Sequence, residues 1–255
     1  MPSHLRNSTR RRKIIQGEIC LVGHIVETIR IHFKWWNSKP CSFIRLSRCN
    51  LACVWCDTAY TWRFAGDKRP HRDGIVYDRK ANQVSLSPLE AARAIDRLPP
   101  RRLVVTGGEP LLQAAAMAEM AALLPDHAIE VETNGTVEPA ARFDAYVEQY
   151  TVSPKLAHSG NAASLALPPQ LLAAWAAEPR AFFKFVIAQP ADVTQVLALQ
   201  AGFGIASERI FLMPEGIASP VLREREQWLA PLCVEHGFRL SDRLHIHLYG
   251  DTRGT

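Results

Sequence analysis

The chain has 255 residues, 47% hydrophobic and 22% charged, with a formal net charge of +5. These proportions suit one large α/β domain and exclude a disordered or fibrous chain. No stretch reaches the ~18 apolar residues of a membrane helix, and the Arg-rich start lacks the apolar run and cleavage site of a secretory signal, so a cytoplasmic protein is expected.

At the N-terminus His4, Arg6, Arg10, Arg11, Arg12 and Lys13 occur with no acidic residue among the first thirteen. No aromatic residue interleaves with these charges, so a solvated tail is expected and nucleic acid is not expected as a partner. Residues 1–40 read as an atypical basic segment, partly disordered or divergent, and residues 41–255 as the folded domain. From about residue 42, short β-branched or aromatic runs alternate with Ala/Leu-rich stretches, the pattern of repeated βα units around a parallel sheet. Strands are predicted at 42–47, 102–106, 128–132, 150–153, 182–187 and 209–213. Between the first two, a helix is predicted to open at Ser87-Pro88-Leu89-Glu90 and end at Pro99-Pro100. Ser87 caps it, Pro88 suits its first turn, and Glu90 completes a capping box. Further helices are predicted at 111–124, 169–177, 191–200 and 220–236, the last stopped by Gly237. About six parallel strands with helices between them form a partial or complete (β/α) barrel or an open doubly wound sheet, and periodicity leaves these open. In each, chemistry gathers at the C-terminal ends of the strands.

Six cysteines stand at positions 20, 41, 49, 53, 56 and 233. Cys49, Cys53 and Cys56 form a C-x3-C-x2-C run directly after the first strand of the regular pattern, which suits a metal site in reducing surroundings better than a disulfide framework. Structural zinc normally takes four ligands and most electron-transfer clusters take four cysteines. Three close thiols therefore point to a cluster with one position open for a substrate or cofactor. A zinc site completed by a distant His or by Cys41, or a chance grouping, are the other readings of this run. Cys20, Cys41 and Cys233 have no metal-ligand spacing and read as ordinary small residues.

Polar segments then follow successive strands: Thr106-Gly107-Gly108-Glu109-Pro110, Glu132-Thr133-Asn134-Gly135-Thr136, and Ser153-Pro154-Lys155. Each alone can be a turn or a helix cap, and the glycines also allow close approach of a ligand to the backbone. Their recurrence after consecutive strands is what marks one shared site.

The cysteine run followed by Gly-Gly-Glu-Pro resembles the radical S-adenosylmethionine superfamily. Arg45-Leu46-Ser47, Cys49-Asn50-Leu51, Cys56-Asp57-Thr58, the three strand-end segments, Phe183-Lys184-Phe185-Val186, Met213-Pro214-Glu215-Gly216 and the ending 244–250 further resemble the 7-carboxy-7-deazaguanine synthase family over about residues 41–255. The resemblance implies an α/β fold, a partial (β/α) barrel, and a [4Fe–4S] cluster on Cys49, Cys53 and Cys56 whose open iron takes S-adenosylmethionine. It implies a radical ring contraction of 6-carboxy-5,6,7,8-tetrahydropterin to 7-carboxy-7-deazaguanine with loss of ammonia, on the way to queuosine and other 7-deazapurines. It also implies magnesium (Mg2+) at Thr58, an external electron donor such as flavodoxin or ferredoxin, and a homodimer. By the same resemblance Trp55, Cys56, Asp57, Gly108, Ser153, Pro154 and Lys155 belong to the cofactor site. Arg45, Thr106 and Thr255 belong to the substrate site, with Gln16, Gly17 and Glu18 as further candidates.

Two departures from the family pattern stand out. Gln16-Gly17-Glu18 is followed by Ile19 where the family has Gly, at an unusually long distance from Cys49, and Arg48 replaces the Gly that usually precedes the first cysteine. Two other functions share the cysteines: an activase that makes a glycyl radical on a protein partner, and a degenerate relative that binds zinc or a cluster. Neither needs a pterin pocket.

Overall fold

The computed structural model describes residues 19–22, 26–30 and 39–253. In chain order its strands are β1 (Ile19–Val22), β2 (Val26–Arg30), β3 (Lys39–Leu46), β4 (Gln83–Leu86), β5 (Arg102–Gly107), β6 (Ala128–Thr133), β7 (Val147–Val152), β8 (Ala181–Ile187), β9 (Ile210–Pro214) and β10 (Arg239–Leu240). The helices are α1 (Arg79–Asn82), α2 (Pro88–Asp96), α3 (Ala114–Ala121), α4 (Ala141–Asp144), α5 (Ala163–Ala166), α6 (Pro169–Ala177), α7 (Ala191–Phe203), α8 (Ser219–His236) and α9 (Leu244–Tyr249). All described strands join one sheet in the order β10-β9-β8-β7-β6-β5-β3-β1-β4, with β2 also paired to β3. β3 and β5 through β10 are parallel. β1 and β2 run antiparallel to β3, and β4 antiparallel to β1.

The six predicted strands correspond to β3 and β5 through β9, and the capping box at Ser87 and Glu90 is complete. The helix predicted at 111–124 opens as a 3-10 turn over Pro110–Gln113 before α3. α8 ends on Gly237 at φ +67, as a C-terminal glycine cap requires. Four strands were not anticipated. β1, β2 and β4 form the antiparallel side of the sheet beyond β3, and β10 has only two residues, too few to show a period.

Successive side chains on a strand point to opposite faces, and this alternation separates core from cavity. Ile44, Leu46, Leu103, Val105, Ile129, Val131, Tyr150, Val152, Phe183, Phe185, Ile210 and Leu212 pack into the hydrophobic core that takes in α2, α3, α7 and α8. Their neighbours Phe43, Arg45, Thr106, Glu132, Ser153, Lys184 and Met213 line a cavity on the other face. Each buried side chain of this size contributes ~1.5–3 kcal/mol, more than a helix cap at ~1 kcal/mol, so the alternation fixes the register and thereby the cavity-facing set.

The backbone is tightest where β5 ends beside β3. Gly107 has φ +139, and a Cβ added there would lie 2.1 Å from the Leu46 carbonyl oxygen; one added at Gly108 would lie 2.0 Å from that of Arg48. Gly108 N–H donates to Leu46 O at 3.0 Å and Glu109 N–H to Arg48 O at 2.8 Å, so the two segments are bonded as well as packed. Arg48 itself sits at φ +77, the one non-glycine residue with positive φ among those described. This left-handed conformation accounts for the glycine that the family resemblance leads one to expect at that position.

Gly107→Ala is expected to lower stability by about 2 kcal/mol or more, because backbone atoms stand where the methyl would go. Arg48→Gly is expected to be neutral or to stabilise by up to ~1 kcal/mol, and Arg48→Val to destabilise by more than ~1 kcal/mol. Anaerobic denaturant unfolding checks both, and a more stable Arg48→Val variant would contradict the reading of this turn.

Candidate active site

The cavity, of about 880 Å3, opens at the C-terminal ends of the parallel strands. Arg45 reaches it from β3, and Cys49, Cys53, Trp55, Cys56, Asp57 and Thr58 from the loop that follows. Thr106 and Gly108 line it from β5 and the turn beyond, and Ser153 and Lys155 from the segment after β7. Pro154, between those two, is buried behind the wall. Gln16, Gly17, Glu18 and Thr255 lie outside the described residues.

The three thiols share one environment. Burial pushes the Cys49 thiol up to about 12 and the Cys53 thiol up to about 11, and it raises Cys56 as well. Thiolates here therefore need a metal centre to hold them, and metal loading releases their protons. Each sulfur also has a side-chain N–H donor: Asn134 Nδ2 to Cys49 at 3.9 Å, Asn161 Nδ2 to Cys53 at 3.3 Å, and Trp62 Nε1 to Cys56 at 3.5 Å. Among the described residues, the one set of three ligand atoms lying within 4.8 Å of one another is Glu226, Asp242 and His247, so the three sulfurs are spread more widely than that. Such spacing does not suit a single tetrahedral zinc, whose ligands stand ~2.3 Å from the metal. Cys41 is buried in β3 and Cys233 in α8, and neither lines the cavity. Three spaced thiols with individual donors fit a [4Fe–4S] cluster with one open iron.

The strand-end segments meet next to the cysteines. Glu109 is fully buried and accepts from Leu111 N at 3.0 Å, Thr133 Oγ1 at 2.9 Å and Asn134 N at 2.7 Å. Burial pushes its carboxyl up to about 7, against those hydrogen bonds and the charge of Lys155. Lys155 Nζ in turn bonds both the carbonyl and the hydroxyl of Ser153 at 2.7 Å. Beside this group, Gly108 lines the cavity while its missing side chain makes room for the Arg48 backbone.

A second polar group sits on the strands that line the cavity. Thr106 Oγ1 donates to Glu132 Oε2 at 2.8 Å, and Lys184 Nζ bonds Glu132 Oε1 at 2.7 Å, linking β5, β6 and β8. Arg243 forms an ion pair with Asp57. Burial would raise the Asp57 carboxyl, but Arg243, Arg45 and His245 hold it at about 2, so it is ionised near neutral pH. Burial and the nearby Arg243 lower His245 to about 4, which leaves its imidazole neutral. Of the cations Arg45, Lys184 and Arg243 in the lining, Lys184 and Arg243 are already paired with Glu132 and Asp57, and Arg45 is the one offered to an anionic ligand, with Asp57 and Thr58 as oxygen donors beside Cys56.

Several of these contributors could not be read from the sequence. Asn161 lies 108 residues from Cys53 and Arg243 lies 186 residues from Asp57. His71, which bridges Asp73 Oδ1 at 2.6 Å and the Cys56 carbonyl at 2.8 Å, follows no strand of the regular pattern. Trp62 was close enough to the cysteines to be suspected, but an indole among aromatic neighbours gives no distinguishing signal.

The chain is similar to known proteins in sequence and in fold. Residues 43–155 match the Radical SAM superfamily model. The chain is 34% identical over 218 residues to the 7-carboxy-7-deazaguanine synthase of Pyrobaculum aerophilum, covering 85% of this chain and 89% of that protein. It is 32% identical over 242 residues to the synthase of Halobacterium salinarum, covering 85% of each. The crystal structure of QueE from Escherichia coli superposes with a TM-score of 0.62 at 25% identity, covering 89% of this chain and 94% of that one. The chain belongs to the 7-carboxy-7-deazaguanine synthase family of the radical S-adenosylmethionine superfamily.

Proposed function

We propose that this chain converts 6-carboxy-5,6,7,8-tetrahydropterin to 7-carboxy-7-deazaguanine with release of ammonia, a step toward queuosine and other 7-deazapurines. One observation carries the reading: the three loop thiols and the cations Arg45, Lys184 and Arg243 line the same cavity. When bound, the cluster and S-adenosylmethionine supply a 5′-deoxyadenosyl radical able to take hydrogen from C6 of the pterin. Everything else falls to the chain.

Cys49, Cys53 and Cys56 hold the cluster. Trp55, Asp57, Gly108, Ser153 and Lys155 line the cofactor side of the cavity, with Pro154 supporting the turn behind them. Arg45, Thr106 and Lys184 face the substrate, and a guanidinium fork at Arg45 suits a carboxylate or the hydrogen-bonding edge of a pterin. Asp57 stays ionised at neutral pH, and with the Thr58 hydroxyl beside it gives hard oxygen ligands for magnesium, which completes its shell with substrate and water. Gln16, Gly17, Glu18 and Thr255 remain proposed substrate contacts from the chain termini. The enzyme draws its electron from an external flavodoxin or ferredoxin and works as a homodimer in the reducing cytoplasm, where free thiols survive. No described helix is long and apolar enough to cross a membrane.

Anaerobic reconstitution with iron and sulfide, followed by dithionite, S-adenosylmethionine, magnesium and the carboxypterin, is expected to yield 7-carboxy-7-deazaguanine on chromatography. A loaded protein that cleaves cofactor and never forms that product would overturn the substrate assignment. Alanine at Cys49, Cys53 or Cys56 is expected to abolish cofactor cleavage while Cys233→Ala keeps it, and cleavage retained in the first three would sink the cluster assignment. Arg243→Gln leaves Asp57 without its cation, and kcat/KM for the pterin is expected to fall at least about tenfold, or ~1.4 kcal/mol. An unchanged kcat/KM would remove Arg243 from the site.

A further inference from the structure

We propose that Trp62, Asn134 and Asn161 tune the reduction potential of the cluster, each through one N–H···S bond to one of its cysteine ligands. The inference rests on the reading of Cys49, Cys53 and Cys56 as those ligands.

The direction of each bond is fixed by geometry. The Trp62 indole nitrogen is a donor only, and it stands 3.5 Å from Cys56 Sγ. Asn161 Oδ1 accepts the Ala52 backbone N–H at 2.9 Å, and since that group can only donate, the amide nitrogen is turned toward Cys53 Sγ at 3.3 Å. Asn134 Oδ1 likewise accepts the Thr136 N–H at 2.9 Å, which leaves Nδ2 to face Asn50 Oδ1 at 2.9 Å and Cys49 Sγ at 3.9 Å. Neither amide can be flipped without setting its NH2 against a backbone N–H, donor against donor, and turning its oxygen toward the sulfur. The three donors come from three separate places: the loop after the cysteines, the end of β6, and the turn ahead of α5.

Trp62 is held firmly for this task. It is buried, and its ring is covered by the Arg69 guanidinium at 4.6 Å, which Asp67 grips at 2.6 Å. His71 meets its edge at 6.1 Å. Reduction adds negative charge to the centre that these sulfurs hold. An N–H aimed at a thiolate draws off electron density and favours the reduced, more negative state, so each donor raises the potential. A purely structural role would leave the potential unmoved.

Trp62→Phe is the first variant, since it keeps an aromatic ring in the buried site, smaller than the indole, and removes the donor. Asn161→Asp keeps the acceptor for Ala52 and replaces the donor with a carboxylate. Wild type and both variants are reconstituted anaerobically, assayed for iron and sulfide, and titrated potentiometrically with detection by electron paramagnetic resonance, without pterin or S-adenosylmethionine. The expected result is a full cluster in each, with the Trp62→Phe midpoint more negative by a tenfold change in the reduction equilibrium, about 59 mV for a one-electron couple. Asn161→Asp is expected to move it further in the same direction. An unchanged or more positive midpoint in a loaded Trp62→Phe protein overturns the inference; if that variant loads no cluster, an unchanged midpoint in Asn161→Asp does so. A wild type that takes up no cluster would overturn the cluster reading itself, a result distinguishable from these.

Discussion

The close approach of two backbone segments, the end of β5 and the exit of β3, is the constraint on which the site depends. Gly107 and Gly108 leave no room for a Cβ against Leu46 and Arg48, and hydrogen bonds from Gly108 and Glu109 fasten the contact. Because the segments touch, the turn after β3 must pass through a left-handed residue at Arg48 and deliver Cys49 next to Glu109. Glu109, fully buried, then gathers the ends of β5 and β6 by accepting from Leu111, Thr133 and Asn134. The same Asn134 reaches back to Cys49 and Asn50, so one backbone contact organises three loops.

Charge is arranged around that framework in a way that burial alone would forbid. Three thiols raised by desolvation and an Asp57 carboxyl held at about 2 line one cavity, and the fully buried Glu109 carboxyl beside Cys49 is pushed up to about 7. An unpaired buried charge costs several kcal/mol, so each group needs a partner. Asp57 has Arg243, Glu132 has Lys184 and Thr106, and the thiols have their N–H donors. What remains is a cavity whose Arg45 suits an anionic substrate and whose sulfurs suit a cluster.

Much of this was legible in the sequence because it is local. The strands β3 and β5 through β9, the Ser87 capping box, the Gly237 stop and the polar segments after consecutive strands all follow from patterns within a few residues. The oddity at Arg48 was visible too, although only the φ of +77 explains it. The antiparallel strands β1, β2 and β4 were not legible: they owe their place to pairing with a sheet built elsewhere in the chain. Nor were Asn161, Arg243 and His71, whose roles arise from partners that the barrel brings together across 15 to 186 residues. Spacing shows which residues are able to bind a metal, and tertiary structure decides which groups adjust it.

The central claim is that three thiolates from one loop hold a cluster with a single open iron. Mössbauer spectroscopy of protein reconstituted with enriched iron, before and after addition of S-adenosylmethionine, tests this directly. The structure predicts one iron site, and not the other three, changing its signal when the cofactor binds. A spectrum that the cofactor leaves unchanged, or one from mononuclear iron, would contradict it.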